Sequence, residues 1–260
     1  MATRNRFVVA QLSDIHCGDP RYDEGLARGC IDGVNEARPD LVVVPGDLTA
    51  SGYPDEYEAA CTLLGRIECS NLVVVPGNHD ERNVGWKLFE RYIGERWQSH
   101  DLPFGVEHRG VVQRRIRVVA ADSGKPDLDD GEVGRMRYDW IRQAFNDSVG
   151  DFRVFVMHHH LIGVPGTGRE RNIVWDAGDV LELLTELKVD LVIAGHKHVP
   201  YTWDLNGMPV ITSGTATTRR TRDDTPPSFN IITITAEQIA VTVCDSGDPA
   251  RRVERFRRTR

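Results

Sequence analysis

No excess of positive charge, no long apolar run and no paired cysteine motif occur in this chain of 260 residues. The 32 basic residues are outnumbered by 39 acidic ones, a formal charge of -7, so bulk electrostatic attraction to nucleic acid or to an anionic membrane is not expected. Among the basic residues only Lys87, Lys125, Lys188 and Lys197 are lysines, a bias given no functional weight. No apolar stretch approaches the ~20 residues that span a bilayer. Cys17, Cys30, Cys61, Cys69 and Cys244 are odd in number and form no C-x-x-C pair. That pattern argues against a disulfide framework or a zinc knuckle and favours reduced thiols and a cytoplasmic location. The apolar stretch over residues 7–10 is soon interrupted by Gln11 and Asp14, so it reads as a first strand rather than a leader peptide.

With 40% apolar content the chain can bury one substantial core. Strand and helix patterns alternate through its first two-thirds. Strand-like runs at 7–12, 41–44, 72–75, 111–121, 152–157 and 191–194 are separated by helical spacings. One helix carries Leu26, Cys30, Ile31 and Val34 and is stopped by Pro39; another opens at Pro54; a longer one is expected from Glu81 to Trp97. The remainder is strand-rich, with a hairpin turn at Asn206-Gly207, where both residues tolerate positive φ. This is an α/β (α+β) chain with two packed mixed sheets and helices outside. Residues 1–249 read as one domain, and 250–260, with six arginines in the last ten residues, as a frayed, solvated basic tail.

Five apolar runs end in residues of one chemical kind. They are Ser13-Asp14-Ile15-His16, Gly46-Asp47, Gly77-Asn78-His79-Asp80, Met157-His158-His159-His160 and Gly195-His196-Lys197-His198. Carboxylate, imidazole and amide oxygen without thiolate suit a hard or borderline divalent ion. Asp14 and His16, two apart at a strand end, should leave from one face, and His196 and His198 repeat the device. A lone histidine is more often a hydrogen-bonded core residue; seven such groups together reverse that reading. Two ions sharing a bridging carboxylate would lie about 3.5–4 Å apart, a spacing that clamps the attacking and leaving oxygens of a phosphoryl group.

These blocks, in this order, resemble the calcineurin-like metallophosphoesterase family, whose signature is D-x-H, G-D, G-N-H-[DE], a strand-end His and G-H-x-H. The resemblance covers roughly residues 7–199 and implies a four-layer αββα sandwich of two mixed sheets flanked by helices, with the site on loops at one edge. It implies two divalent ions (Mn, Fe, Zn or Co), one held by Asp14, His16 and His198, the other by Asn78, His158 and His196, with Asp47 bridging. His79 is implied as the catalytic histidine beside the scissile phosphate and outside the metal shell. Two ions bring four positive charges and Asp14 with Asp47 remove two; an attacking hydroxide and a phosphodiester monoanion cancel the rest.

The surroundings of the second and third blocks, with Gly52, Glu56 and Tyr57, look like the cyclic nucleotide and glycerophosphodiester phosphodiesterase branch. That branch shows His-His-Pro at the fourth block, whereas here His158-His159-His160 stands. His158 is placed as ligand by its position after the strand; His160 shares its face, and His159 is expected to point at substrate or solvent. Ala50 occupies the place of an acid that orients the site histidine in related protein phosphatases, which predicts a loosely held His79. The 163–172 loop reads as a mobile lid or a plain surface loop, with Arg169 and Arg171 as candidates to touch a phosphate, as are Arg82 and Asn83. Ser13 and Ser213 are read as turn or strand residues, and His100 and His108 as surface residues.

The expected function is hydrolysis of small phosphodiesters by metal-bound hydroxide attack on phosphorus. A nuclease and a phosphomonoesterase built on the same site are the alternatives, followed by a non-catalytic scaffold. The expected partner is a small-molecule substrate, with no membrane and against nucleic acid; a homo-oligomer stays open.

Overall fold

The computed structural model describes residues 6–108, 111–148, 151–222, 225–247 and 251–257. The elements in chain order are β1 (Phe7–Gln11), α1 (Glu24–Ala37), β2 (Leu41–Pro45), α2 (Pro54–Leu64), β3 (Leu72–Val75), α3 (Gly85–Tyr92), β4 (Gln98–His108), β5 (Val111–Ala120), α4 (Arg135–Asn146), β6 (Phe152–Val156), α5 (Ala177–Glu186), β7 (Leu191–Ala194), β8 (Tyr201–Leu205), β9 (Met208–Thr212), β10 (Ser228–Ile234), β11 (Gln238–Asp245) and β12 (Arg251–Arg257). They build two six-stranded mixed sheets, ordered β12-β11-β10-β1-β2-β3 and β4-β5-β6-β7-β9-β8. The expected αββα sandwich is present.

Its layering follows from strand alternation. In β1 and β2, Val9, Leu41 and Val43 face the second sheet and pack with Val118, Val154 and Ile193. Their neighbours Ala10, Val42 and Val44 face outward onto Ile31 and Val34 of α1 and Tyr57 and Ala60 of α2. In the second sheet, Phe155 and Val192 likewise face Ile141 and Phe145 of α4 and Leu183 and Leu184 of α5. These strands are apolar on both faces because both faces are covered.

Local chemistry sets several boundaries. The Asp23 side chain accepts the Gly25 and Leu26 amides at 2.8 and 3.1 Å and caps α1. Glu56 caps α2 by accepting the Ser51 and Tyr53 amides. Asn206 and Gly207 both adopt positive φ (53° and 84°), as the β8–β9 hairpin requires.

Three expectations are corrected. The helix foreseen from Glu81 to Trp97 is only Gly85–Tyr92, because Asn83 turns the chain with φ 58° and Gly94 ends it with φ 138°. The frayed tail is not frayed over Arg251–Arg257: this segment pairs antiparallel with β11 and forms an edge of the first sheet, its backbone drawn into the ladder whatever its charge. His100 is half-buried, with Nε2 2.9 Å from Gln98 Oε1, while the side chain of His108 lies outside the described residues. None of the five cysteines forms a disulfide, and no described helix is long and apolar enough to cross a membrane.

Parallel pairing aligns the C-terminal ends of β1, β2 and β3 in one sheet and of β5, β6, β7 and β9 in the other. Loops leaving those ends meet at one edge of the sandwich, where open α/β sheets characteristically bind ligands. Beneath them the sheets are joined by buried Gln11, whose Nε2 donates to Ala194 O at 2.7 Å while its Oε1 accepts from Asn230 Nδ2 at 3.0 Å.

Candidate metal centre

All seven expected ligands converge at that edge. Asp14, His16, Asp47 and His198 bring one ligand atom each within 4.8 Å of one another, and His158, His159 and His196 form a second group. Asn78 completes the second group, its Oδ1 lying 3.1 Å from both His158 Nε2 and His196 Nδ1. Asp47 Oδ2 lies between the groups, 3.7 Å from His16 Nε2 and 3.5 Å from His158 Nε2.

The hydrogen-bond pattern tests whether this set fits a cation. His158 Nδ1 is 2.7 Å from Pro45 O, a contact that requires an N–H, so in the neutral ring Nε2 carries the lone pair. That lone pair faces His196 Nδ1 at 3.2 Å and Asn78 Oδ1; the Asn78 amide nitrogen is turned away to donate to Asp129 Oδ1. His198 likewise donates through Nδ1 to Arg220 O, leaving Nε2 against His16 Nε2 at 3.0 Å and Asp14 Oδ1 at 3.2 Å. Asp14 Oδ1 is buried and accepts no hydrogen bond. Acceptors packed face to face repel unless a cation lies among them. Adjacent donors around an ion with bonds of about 2.0–2.2 Å sit roughly 3.0–3.5 Å apart, so the spacing fits.

Protonation points the same way. Burial, then neighbouring imidazoles, hold His16 and His196 well below the usual histidine range. Asp14 stays below the usual carboxylate range although burial opposes it, because His198 and His158 attract its charge. His158 differs: burial lowers it, but Asp47 and Asp14 outweigh burial and raise it. Metal ligands must be deprotonated, and the other shifted groups already favour those forms.

The backbone reaches the site through strain. Asp14, His16, Asp47, His196 and His198 have φ of 54°, 51°, 54°, 75° and 57°. The shared face predicted from strand alternation is therefore reached differently: Asp14 and His16 lie beyond the end of β1 in a left-handed turn. Such conformations cost on the order of 1–3 kcal/mol each and persist only where surroundings over-determine them. Here the loops interlock, with the Asp14 amide donating to Gly46 O, the His16 amide to Asp47 O, and the His196 amide to Asp14 Oδ2.

Residues 7–200 match the family model described as calcineurin-like phosphoesterase. The chain belongs to the calcineurin-like phosphoesterase family. It is a metallophosphoesterase, a hydrolase of phosphoric esters. It is 26% identical over 218 residues to a probable cyclic nucleotide phosphodiesterase of Rhodococcus erythropolis, covering 80% of this chain and 70% of that one. It is 44% identical over 171 residues to the glycerophosphodiester phosphodiesterase GpdQ of Enterobacter lignolyticus, covering 65% and 59%. In fold it resembles the solved structure of GAP50, the anchor in the inner membrane complex of Plasmodium, with a TM-score of 0.74 at 15% identity over 99% of this chain and 90% of that one.

Around the phosphoesterase centre, His79 is held more firmly than its sequence context predicted. Its Nδ1 lies 2.6 Å from Ala50 O and its amide donates to Asp47 Oδ1 at 2.9 Å. The backbone carbonyl of Ala50 replaces the missing acid, which corrects the expectation of a loose ring. Arg82 donates to the same carbonyl and pairs with Asp129 at 2.8 Å, and so walls the ring in rather than lying in an exposed helical turn. Asn83 is spent on the Ser51 carbonyl. His159 does not face substrate or solvent: it is buried, with Nδ1 2.9 Å from Ser123 Oγ and Nε2 3.3 Å from Asp129 O. Both of its nitrogens are occupied, so it offers no lone pair although it lies beside His158 and His196. His160 Nε2 is engaged by Glu170 at 2.8 Å. Ser13 Oγ donates to Pro45 O, and Ser213 is buried.

Asp80, quoted in the third block without a role, is a clamp. Its carboxylate accepts the amides of Leu48, Thr49 and Gly77 and the Thr49 hydroxyl at 2.8–3.1 Å, locking the Asp47 loop to the Asn78 loop. Burial, then the Asp47 charge, push it up to about 7 against those bonds. A Cβ on Gly77 would collide with the Asp47 carboxylate and backbone amide, so only glycine permits this approach. Gly77→Ala is expected to destabilise the protein by about 1–3 kcal/mol, lowering Tm by several degrees, and to reduce metal content. Calorimetry with metal analysis checks this; an unshifted Tm with full metal content would contradict it.

Proposed function

We propose that the chain is a dinuclear metal-dependent phosphodiesterase hydrolysing small phosphodiesters of the cyclic nucleotide or glycerophosphodiester type. The observation that carries this reading is the place of Asp47 Oδ2 within 3.7 Å of an imidazole nitrogen from each donor group, where one carboxylate could serve two ions. Asp14, His16 and His198 would hold the first ion and Asn78, His158 and His196 the second. Four imidazoles among these donors suit Mn, Fe, Zn or Co better than Mg. When bound, the ions supply Lewis acidity and water of lowered pKa.

The chain's own groups supply the rest. Asp47 links the two donor groups to His79 through the His79 amide. Ala50 O accepts a hydrogen bond from His79 Nδ1–H, which leaves Nε2 as the ring nitrogen for proton transfer to a leaving oxygen. The names borne by the Rhodococcus and Enterobacter relatives support a diester substrate.

With Mn(II) bound, bis(p-nitrophenyl) phosphate is expected to be cleaved with a higher kcat/KM than p-nitrophenyl phosphate. A large preference for the monoester would move the protein to phosphomonoesterase chemistry.

A further inference from the structure

The cleft over the centre, about 400 Å³, is lined by Asn78 and His79 and by arginines of two segments. Arg169 and Arg171 come from the 163–172 loop, Arg220 and Arg222 from the segment after β9. This is unexpected in a protein of charge -7.

Both segments are fastened to the metal-binding elements. Glu170, between the two loop arginines, accepts from His160 Nε2 at 2.8 Å and from buried Lys197 Nζ at 3.1 Å, and Lys197 also donates to Arg171 O. His160 follows His158 by two residues, and Lys197 stands between His196 and His198. Asn172 donates to Asp129 O, the residue whose carboxylate holds the Asn78 amide. Arg220 O in turn accepts from His198 Nδ1. The loop read as a mobile lid or a plain surface loop is thus latched to the histidine-bearing segments.

Arg220 Nη1 lies 3.9 Å from Asp19 Oδ2 and 3.4 Å from His79 Nε2, whereas the charges of the loop arginines are not spent internally. Among the described residues, the guanidinium groups of Arg169 and Arg171 make no ion pair. The nearby acids are engaged elsewhere, Asp129 with Arg82 and Glu170 with Lys197. A monoanionic diester is already neutralised by two ions, two carboxylates and hydroxide, so it leaves these arginines without a partner. We propose that Arg169 and Arg171, with Arg220 and Arg222 of the same cleft, form a subsite for a second anionic group, so that the substrate is a phosphodiester bearing a further phosphate. Glu170 acts as a positioning residue for it. This inference rests on the phosphodiesterase reading above.

The test compares two esters that differ by one phosphate, thymidine 5′-(p-nitrophenyl phosphate) and its 3′-phosphorylated form, on the metal-loaded protein. One charge-assisted contact corresponds to about tenfold or more, so kcat/KM is expected to favour the 3′-phosphorylated ester by at least that factor, mainly through KM. The preference should collapse toward unity in Arg169→Ala/Arg171→Ala and shrink in Glu170→Gln, whereas Arg135→Ala, an exposed arginine paired with Asp179, should keep it. In parallel, chelated protein is titrated calorimetrically with thymidine 3′,5′-bisphosphate and thymidine 5′-monophosphate; the bisphosphate should bind more tightly, and only while the two arginines are present. A ratio near one in the native protein, or a ratio that survives the double substitution, overturns the subsite. If neither ester is cleaved, the phosphodiesterase reading fails instead, and the binding comparison still decides the subsite.

Discussion

Asp47→Ala is expected to lower kcat/KM on a phosphodiester by on the order of 10³ or more, the equivalent of several kcal/mol of lost transition-state stabilisation. The carboxylate is almost completely buried and lies within 3.7 Å of His16 and His158, which belong to different donor groups. Its removal deprives both groups of their shared anion and leaves two sets of imidazoles facing one another with Asp14 as the one carboxylate among them. The His79 amide also loses its acceptor. Metal content per chain should therefore fall together with activity, and chelation of the native protein should reproduce the loss, with Mn(II) restoring more than Mg(II). Substantial turnover by the variant, or by metal-free protein, would refute the bridging role.

His79→Ala is expected to lower kcat by about 10²–10⁴ while leaving metal content intact. Its Nδ1 is tied to Ala50 O at 2.6 Å and its ring stands edge-on to His16 with centroids 4.6 Å apart, so it borders the centre without belonging to either donor group. If His79 protonates the departing alkoxide, the loss should shrink with p-nitrophenolate, which needs little protonation, and be full with a poor leaving group. An ion missing from the variant would make His79 a ligand. An unchanged rate on a poor leaving group would remove its acid role.

The element order and the sandwich were legible because hydrophobic periodicity is local: Leu41, Val42, Val43 and Val44 alternate between the two cores whatever lies far away in sequence. The seven candidate donors that converge at the edge were legible because each follows such a run and their side-chain chemistry is written in their identity. The edge strand of residues 251–257 was not, since backbone pairing can override a charged composition.

At the site, tertiary structure decided which of three consecutive histidines turns Nε2 toward Asn78 and Asp47, because that depends on Pro45 O, Ser123 and Glu170, residues 10 to 113 positions away. It also decided that Ala50 could replace an acid, through a carbonyl that every residue possesses and no side chain announces. Sequence alone determined which groups this chain can offer a metal and a phosphate. Folding determined which atoms of those groups are left unspent, because every hydrogen bond made inside the protein removes a lone pair or a proton from the chemistry, and those partners are chosen only when the two sheets pack.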